Sequence, residues 1–407
     1  MKKVISVLLL IAMLFTMAAC GGNEGTKEDE LKVGFIFLHD ENSTYDKNFM
    51  DAAKAACEAM GVTYLQKANI PETNECYEAA IELVEEGCGI IFADSFGHEA
   101  HILKAAKENP EVQFCHATGT TAHTEEVANF HNAFASIYEG RYLAGVTAGL
   151  KLNEMIEAGK ITADKAKMGY VGAFTYAEVI SGYTSFYLGA KSVCPSVTMD
   201  VQFTGSWYDE QLEKEAANAL INKGCVLISQ HADSMGAPTA CENAGIPNVS
   251  YNGSTAAACP ETFLISSRIN WEPYYKYIIE CVQNDKAIDV DWTGTLETGS
   301  VELSDLGKNV AAGTADKLAE IEKGLKDGTV KVFDTAAFTV SGDAITANVK
   351  VDAEGHVTSY MADVDTDAAY TGDTEAIKDG AFAESSDRSA PYFDLAIDGI
   401  TRLNSKF

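Results

Sequence analysis

Short apolar runs alternate with longer amphipathic segments along residues 32–135. The apolar runs have the composition of buried strands and lie at 32–38, 62–66, 89–95 and 112–117. The segments between them have apolar residues at helical spacing and lie at 45–60, 73–86 and 98–108. Strands separated by helices cannot form hairpins, so the pattern predicts a parallel sheet with helices on both faces. We assign this α/β unit to a first lobe.

The same alternation begins again after residue 135. A long helical segment at 136–158 leads into strand patterns at 167–174, 198–205, 225–230 and 246–252. Helical patterns separate these strands and lie at 179–194, 209–223 and 238–244. Residues 136–262 therefore predict a second lobe of the same doubly wound architecture. We expect residues 263–290 to return to the first lobe, with hinge strands at the crossings, and residues 291–407 to complete the second.

The last part of the chain has a different composition. From Val332 to Ser385, threonine, aspartate, glycine and alanine dominate, and the runs 332–340 and 345–361 alternate like the strands of an antiparallel hairpin. We predict a β-rich appendage that packs against the second lobe. The alternate aspartates of residues 363–375 are typical of calcium loops, but the segment lacks a glycine and a terminal glutamate at EF-hand spacing, which favours a solvated loop.

The N-terminus has the pattern of an export signal. Two lysines precede an apolar run at 4–17, and Ala18, Ala19 and Cys20 follow it. The run is too short for a membrane span and resembles the leader of a bacterial lipoprotein, in which the cysteine is lipidated. We therefore expect a signal peptide over residues 1–19, a tether over 20–31, and a protein held by lipid at the extracytoplasmic face of the cell membrane. The alternative is ordinary secretion with a chance cysteine.

The charge balance excludes two classes of partner. The chain has 60 acidic and 30 basic residues, and loss of Lys2 and Lys3 with the signal moves the net charge from −30 to 28 − 60 = −32. A phosphate backbone or an anionic lipid surface needs clustered basic residues, which are absent from this sequence. We expect no nucleic-acid partner, and lipid rather than charge must hold the protein at the membrane.

Nine of the ten cysteines remain after Cys20 is assigned to lipidation. This odd number contains no C-x-x-C pair, and several members lie in apolar runs where a thiol behaves as a small hydrophobic group. We predict mostly buried free thiols, with one or two disulfides possible.

Six segments resemble the basic membrane protein family, whose members are substrate-binding lipoproteins of ABC importers. In chain order they are YDKNF at 45–49, SFG at 95–97, EGRYLAGVTAGL at 139–150, VGAFTYAEVISGYTSFYLGAKSV at 171–193, FTGSWYDE at 203–210 and SQHADSMGAP at 229–238. The resemblance covers nearly all of the chain after the signal. It implies a type I periplasmic-binding fold of two lobes that closes over a purine nucleoside or related compound.

The predicted strand ends supply the residues for such a ligand. In facing doubly wound sheets the carboxyl ends of the strands line one cleft. A purine needs ring faces for stacking and a few polar groups along its edges. Candidates at these strand ends are Tyr45, Asp46, Asn48, Ser95 and Phe96 of the first lobe and Phe174, Trp207, Asp233 and Asn252 of the second.

Each candidate also has a structural interpretation. A single aromatic such as Phe96 could equally fill the core, and Asp46 could cap the helix that follows it. Asp233 and Asn252 could each close a local turn through their own side chains.

The resemblance also predicts how the ribose is treated. It implies an aspartate after the last strand of the second lobe and a lysine on the returning strand, both bound to sugar hydroxyls. Here those positions correspond to Asn252 and Arg268. A neutral amide accepts hydroxyl hydrogen bonds more weakly than a carboxylate, so we expect weaker discrimination for ribose and binding of free bases as well. Asn252→Asp should then favour the nucleoside over the base.

Other functions have less support from the sequence. His98 and His101 have helical i, i+3 spacing, which permits a metal-binding receptor, although zinc needs three or four convergent ligands. A sugar-binding or sensor-coupled receptor shares the fold. No G-x-S-x-G, P-loop or H-E-x-x-H motif is present, so we expect no enzyme and no cofactor. We expect a monomer that delivers its ligand to an ABC permease, with the permease and its ATPase as separate chains.

Overall fold

The computed structural model describes residues 30–364 and 374–405. The chain separates into residues 1–31 and residues 32–407, and the architecture below belongs to the second unit. The predicted signal peptide, Cys20 and nearly all of the predicted tether lie outside the described residues, as does most of the acidic loop at 363–375.

The first lobe is built on a six-stranded parallel sheet of order β11-β5-β4-β3-β1-β2. Its strands are β1 Lys32–Ile36, β2 Thr63–Lys67, β3 Ile90–Ala93, β4 Gln113–Ala117, β5 Phe130–Ala135 and β11 Asp291–Gly294. Its helices are α1 Thr44–Met60, α2 Asn74–Glu85, α3 Glu99–Glu108, the short α4 Ala122–Glu125 and α9 Glu272–Gln283. Ser43 caps α1 by accepting from the backbone N–H of Asp46, and Gly61 ends that helix at a φ of 66°.

The second lobe has seven strands in the order β12-β10-β9-β8-β6-β7-β18. They are β6 Lys167–Gly172, β7 Thr198–Phe203, β8 Leu227–His231, β9 Asn248–Tyr251, β10 Phe263–Ile269, β12 Val301–Leu303 and β18 Ile400–Arg402. Its helices are α5 Ile137–Glu157, α6 Ala177–Val193, α7 Glu210–Asn222, α8 Gly236–Ala244 and α10 Thr314–Lys326. Only the pairing of β12 with β10 is antiparallel in this sheet. The predicted α/β fold of two parallel-sheet lobes is confirmed.

The chain crosses between the lobes at positions that differ from the predicted bounds. Phe263–Ile269 pairs with β9 and so belongs to the second sheet, not to the return. Asp291–Gly294 pairs with β5 in the first sheet, although we expected residues from 291 onward in the second lobe. The return to the first lobe therefore consists of α9 and β11. Apolar runs of buried strands look alike in both lobes, so sequence spacing does not show which sheet they join.

The C-terminal appendage contains small antiparallel sheets. One combines β13 Val349–Val351, β14 Val357–Ala362 and β15 Thr374–Glu375, and the other combines β16 Ile377–Lys378 and β17 Ala381–Phe382. The hairpin thus lies inside the run 345–361 rather than between the two predicted runs. The run 332–340 supplies core residues instead, because the rings of Phe333 and Phe393 stack at 4.4 Å.

The nine cysteines of the described residues are all buried and free, in keeping with the predicted buried thiols. Within residues 30–364 and 374–405, no helix has the length and apolar character needed to cross a membrane.

Candidate ligand-binding site

A cavity of about 350 Å³ lies where the carboxyl ends of the strands in both sheets face each other. The first lobe contributes Leu38, Tyr45, Asp46, Ser95, Phe96 and Thr118, and the second contributes Glu178, Trp207, His231, Asp233 and Tyr251. The composition is mixed, with aromatic rings beside carboxyl groups and an imidazole.

Asp46 is held as a buried carboxylate at the start of α1. Its Oδ1 accepts from the backbone N–H of His39 at 2.7 Å, and its Oδ2 accepts from the Ser43 hydroxyl at 2.6 Å. Burial acts to raise the pKa of Asp46, but the hydrogen bonds from His39 and Ser43 outweigh it and leave the pKa lowered. The cavity therefore contains one fixed acceptor in the first lobe.

Asp233, which follows β8 in the second lobe, has the opposite electrostatics. Burial, and next the charge of Asp46, raise the pKa of Asp233 well above its ordinary value. The same two causes raise the pKa of Asp94, whose backbone carbonyl accepts from the Tyr45 hydroxyl at 2.8 Å. A protonated carboxyl group at Asp233 is a hydrogen-bond donor. The two aspartates of the cavity can therefore offer a ligand one donor and one acceptor.

His231 and Glu178 form a polar pair on the wall of the second lobe. The Nε2 of His231 lies 3.4 Å from Oε1 of Glu178, and its ring lies 4.4 Å from that of Tyr251. Burial lowers the pKa of His231, which favours the neutral imidazole. Glu178 is therefore available to accept from a ligand as well as from His231.

The aromatic side of the cavity is a stack that reaches across the lobes. Phe174 stacks on Tyr176 at 5.1 Å and meets Trp207 edge-on at 5.0 Å. Tyr176 in turn lies 5.0 Å from Phe96 of the first lobe. Phe174 therefore contacts Trp207, which lines the cavity, but does not line the cavity itself. With the rings of His39 and Tyr208 also 5.4 Å apart, the lobes are in contact and the cleft is closed.

Six of the ten candidate residues surround the cavity, namely Tyr45, Asp46, Ser95, Phe96, Trp207 and Asp233. Asn48 does not line the cavity, and its Nδ2 donates to the carbonyl of Ile269, the last residue of β10, at 2.6 Å. Asn252 adopts a left-handed backbone with φ of 59°, and its buried Nδ2 has no hydrogen-bond partner within the described part of the chain.

Arg268 does not line the cavity. Its side chain is 46% exposed and pairs with Glu302 of β12 at 2.6 Å. Side chains alternate across a strand, so the neighbouring Ser267 faces inward, where its hydroxyl accepts from buried Arg141 at 3.4 Å, and Arg268 faces outward.

Five wall residues were not predicted: Leu38, Thr118, Glu178, His231 and Tyr251. His231 and Tyr251 end β8 and β9, two and one residues before Asp233 and Asn252. The expectation that ligands bind at the carboxyl ends of the strands would have found His231 and Tyr251 if it had included the last residue of each strand.

The histidines do not assemble a metal site. Nε2 of buried His98 lies 2.9 Å from the carbonyl of Ile70, and burial lowers its pKa to about 4. No group of three or more potential metal ligands occurs among residues 30–364 and 374–405.

Comparisons with known proteins agree with this architecture. The model of the Bmp family, described as ABC transporter substrate-binding protein PnrA-like, matches residues 36–335. A purine-binding protein of Brucella abortus is 32% identical over 323 residues, which cover 77% of this chain and 85% of that protein. A Haloferax volcanii protein named for glucose binding in an ABC transporter is 32% identical over 255 residues, 62% of this chain and 61% of its own length. A solute-binding protein of Aeropyrum pernix superposes with a TM-score of 0.63 at 17% identity, covering 74% of this chain and 93% of that one.

Proposed function

Because this chain belongs to the Bmp family of PnrA-like ABC transporter substrate-binding proteins, we propose that it captures a purine base or nucleoside between its lobes and delivers it to a permease. The protein is an extracytoplasmic solute-binding protein of an ABC transporter and not an enzyme. The purine is the proposed part, and the composition of the cavity supports it.

The observation that carries this proposal is the pairing of aromatic walls with carboxyl groups of opposite character. Phe96 and Trp207 supply aromatic side chains against which a flat ring can pack. Asp46 accepts hydrogen bonds, whereas the raised pKa of Asp233 favours its protonated form, which donates them. A purine has both ring N–H or amino donors and ring nitrogen acceptors, so one base can satisfy both aspartates.

A sugar is the second candidate ligand, because one relative is named for glucose binding. Hydroxyl groups would also match Asp46 and Glu178, and sugars commonly pack against aromatic rings. The expected difference is affinity for a flat heterocycle that carries no sugar. Adenine or adenosine binds under the purine proposal, whereas adenine does not bind under the sugar proposal.

We also propose that a lipid on Cys20 holds the protein at the membrane and that the permease and ATPase are separate chains. The apolar run at 4–17 followed by Ala18, Ala19 and Cys20 supports the anchor. The lobes close over the ligand by hinge bending, and only contacts that are absent from the open state can favour closure.

A thermal-shift panel tests the ligand class. Purine bases, nucleosides, monosaccharides, amino acids and divalent metals are each added to the purified protein after partial unfolding and refolding to remove any bound compound. A ligand that binds only the folded state raises the apparent melting temperature. We expect a shift with adenine or adenosine and none with zinc. A shift with glucose alone supports the sugar proposal, and a chelator-sensitive shift with zinc alone contradicts both.

A further inference from the structure

The C-terminal appendage reaches the cleft, although most of it lies beyond the family match, which ends at residue 335. The appendage is attached to the second lobe, since β18 pairs with β7 and the ring of Phe333 lies 5.4 Å from that of Tyr138 on α5. From this base, residues 384–392, here called the arm, extend toward the mouth of the cleft.

The arm contacts both lobes. The backbone N–H of Ser389 donates to both carboxylate oxygens of Asp291, on β11 of the first lobe, at 3.1 Å each. The Tyr138 hydroxyl of the second lobe donates to the carbonyl of Glu384 at 3.2 Å. The arm therefore bridges the lobes in the closed arrangement.

A second cavity of about 460 Å³, here called the arm cavity, lies under this bridge. Its walls are Arg388, Ala390 and Pro391 of the arm, Phe96, Thr118 and Thr120 of the first lobe, and Tyr176, Ala177 and Glu178 of the second. Phe96, Thr118 and Glu178 also line the candidate ligand cavity, so the two cavities adjoin. A ligand longer than one ring system would have to pass these shared side chains to occupy both cavities.

Arg388 is the unusual group of the arm cavity. It is only 4% exposed, its Nε donates to the carbonyl of Ala390 at 3.0 Å, and its Nη2 donates to that of Pro391 at 2.8 Å. Nη1 is buried and has no hydrogen-bond partner within residues 30–364 and 374–405. A buried donor without an acceptor is costly, so a ligand group that accepts a hydrogen bond from Nη1 would be stabilising there.

The surrounding charges determine what kind of acceptor fits. The carboxyl groups of Glu384, Asp291 and Asp363 all act electrostatically on Arg388 and favour its charged form. Glu178, on the shared wall, adds a further acceptor. An anionic group would be repelled by these carboxyl groups wherever they are ionised, whereas a neutral hydroxyl can accept from Nη1 and donate to Glu178.

We propose that the arm cavity binds the neutral, hydroxyl-bearing part of the ligand, which for a purine nucleoside is the sugar, with Arg388 as donor. This inference rests on the proposed purine function and adds where the sugar lies. It replaces the expected sugar contacts of Asn252 and Arg268, since Arg268 faces outward and neither residue lines the candidate cavity. The tail outside the family match would thus set specificity for nucleoside over base.

Calorimetric titration with adenine, adenosine and adenosine monophosphate tests this assignment. In Arg388→Gln the ratio of adenosine affinity to adenine affinity should fall about tenfold, as expected for loss of a hydrogen bond from a charged donor. Arg268→Gln is the matched control, because it removes an arginine from an exposed ion pair, and both affinities should stay unchanged. Tyr176→Ala is the second variant, to be used if Arg388→Gln does not fold. It removes a side chain of the arm cavity that is 39% exposed, and it should also lower the affinity ratio.

Each outcome decides one proposal. If purines bind but the affinity ratio is unchanged in folded Arg388→Gln or in Tyr176→Ala, the arm assignment alone is contradicted. If the ratio changes only in Asn252→Asp, the sugar lies near Asn252 instead. Tighter binding of the monophosphate than of adenosine, lost in Arg388→Gln, means that the cavity takes an anion and contradicts the neutral ligand. Binding of none of the three by the parent protein contradicts the purine function itself.

Discussion

The backbone carbonyl of Asp233 accepts two hydrogen bonds from Thr44, one from its N–H at 3.0 Å and one from its hydroxyl at 3.2 Å. Thr44 begins α1 in the first lobe, whereas Asp233 follows β8 in the second. The contact therefore exists only when the lobes are closed. It lies beside the candidate cavity, because Asp233 itself is one of the wall residues.

Thr44→Val should weaken closure without changing the cavity wall. The variant removes the hydroxyl bond and keeps the backbone bond, and a net loss of about 0.5–1.5 kcal/mol corresponds to a two- to tenfold weaker apparent ligand affinity. Titration calorimetry measures the affinity, and small-angle scattering measures the radius of gyration without ligand, which should increase. Thr198→Val, at an exposed position of β7, is the control. Equal affinities and radii in Thr44→Val and the parent would show that this contact does not favour closure.

The strands that could be predicted are those with uninterrupted apolar runs, such as β1 and β3. Strand β5 was missed because His131 and Asn132 interrupt its pattern, although both are buried. Their polar groups are satisfied by tertiary partners: Asn132 accepts from the N–H of Ala122 at 2.8 Å, and His131 Nε2 lies 2.9 Å from Oε1 of Gln113. Pattern analysis treats such residues as exposed, and only the folded neighbours show otherwise.

The site residues also fall into those that could be predicted from the sequence and those that could not. Residues directly after strands, such as Asp46 and Asp233, could be found because topology alone places strand ends together. The direction of Arg268 depends on a one-residue register that spacing does not determine. Arg388 could not have been found, because the arm reaches the cleft through contacts with Asp291 and Tyr138, about 100 and 250 residues earlier in the chain.

Cys20→Ala should release the protein from the membrane or leave an unprocessed precursor. The prediction rests on the sequence of the leader, since only a lipidated cysteine supplies the acyl chains that hold such a protein. Membrane fractionation and the mass of the mature N-terminus are the measurements. Cys57→Ala is the control, because that thiol is buried in the first lobe. A Cys20→Ala protein that fractionates and migrates like the parent would rule out lipidation.

Ligand binding should quench the fluorescence of Trp207. The chain has three tryptophans: Trp207 lines the cavity, Trp271 is buried against Phe49 at 4.5 Å, and Trp292 lies on β11. The quench should disappear in Trp207→Phe, with a few-fold loss of affinity because a smaller ring offers less stacking area. Trp292→Phe should retain both the quench and the affinity. A quench that survives in Trp207→Phe places the ligand away from this wall.

Glu213 should make the protein less stable as pH rises. This side chain of α7 is fully buried, and its carboxyl group accepts from the backbone N–H groups of Asp209 and Ser234, each at 3.2 Å. Burial raises the pKa of Glu213 to about 7 from its ordinary value of 4.5. Between these pH values the folded protein holds a proton that the unfolded chain has released, so the free energy of unfolding falls as pH rises through the window.

Glu213→Gln isolates this effect from that of other buried carboxyl groups. The amide oxygen can still accept from both N–H groups, and the side chain has no charge to desolvate. The variant should be more stable than the parent by at most about 3 kcal/mol at pH 8, and the difference should vanish near pH 4. Urea unfolding of both proteins between pH 4 and 8 measures the difference, with Glu215→Gln as a control on the exposed face of the same helix. A difference that is constant over this range would mean that Glu213 has the same pKa in the folded and unfolded protein, so that its hydrogen bonds offset the effect of its burial.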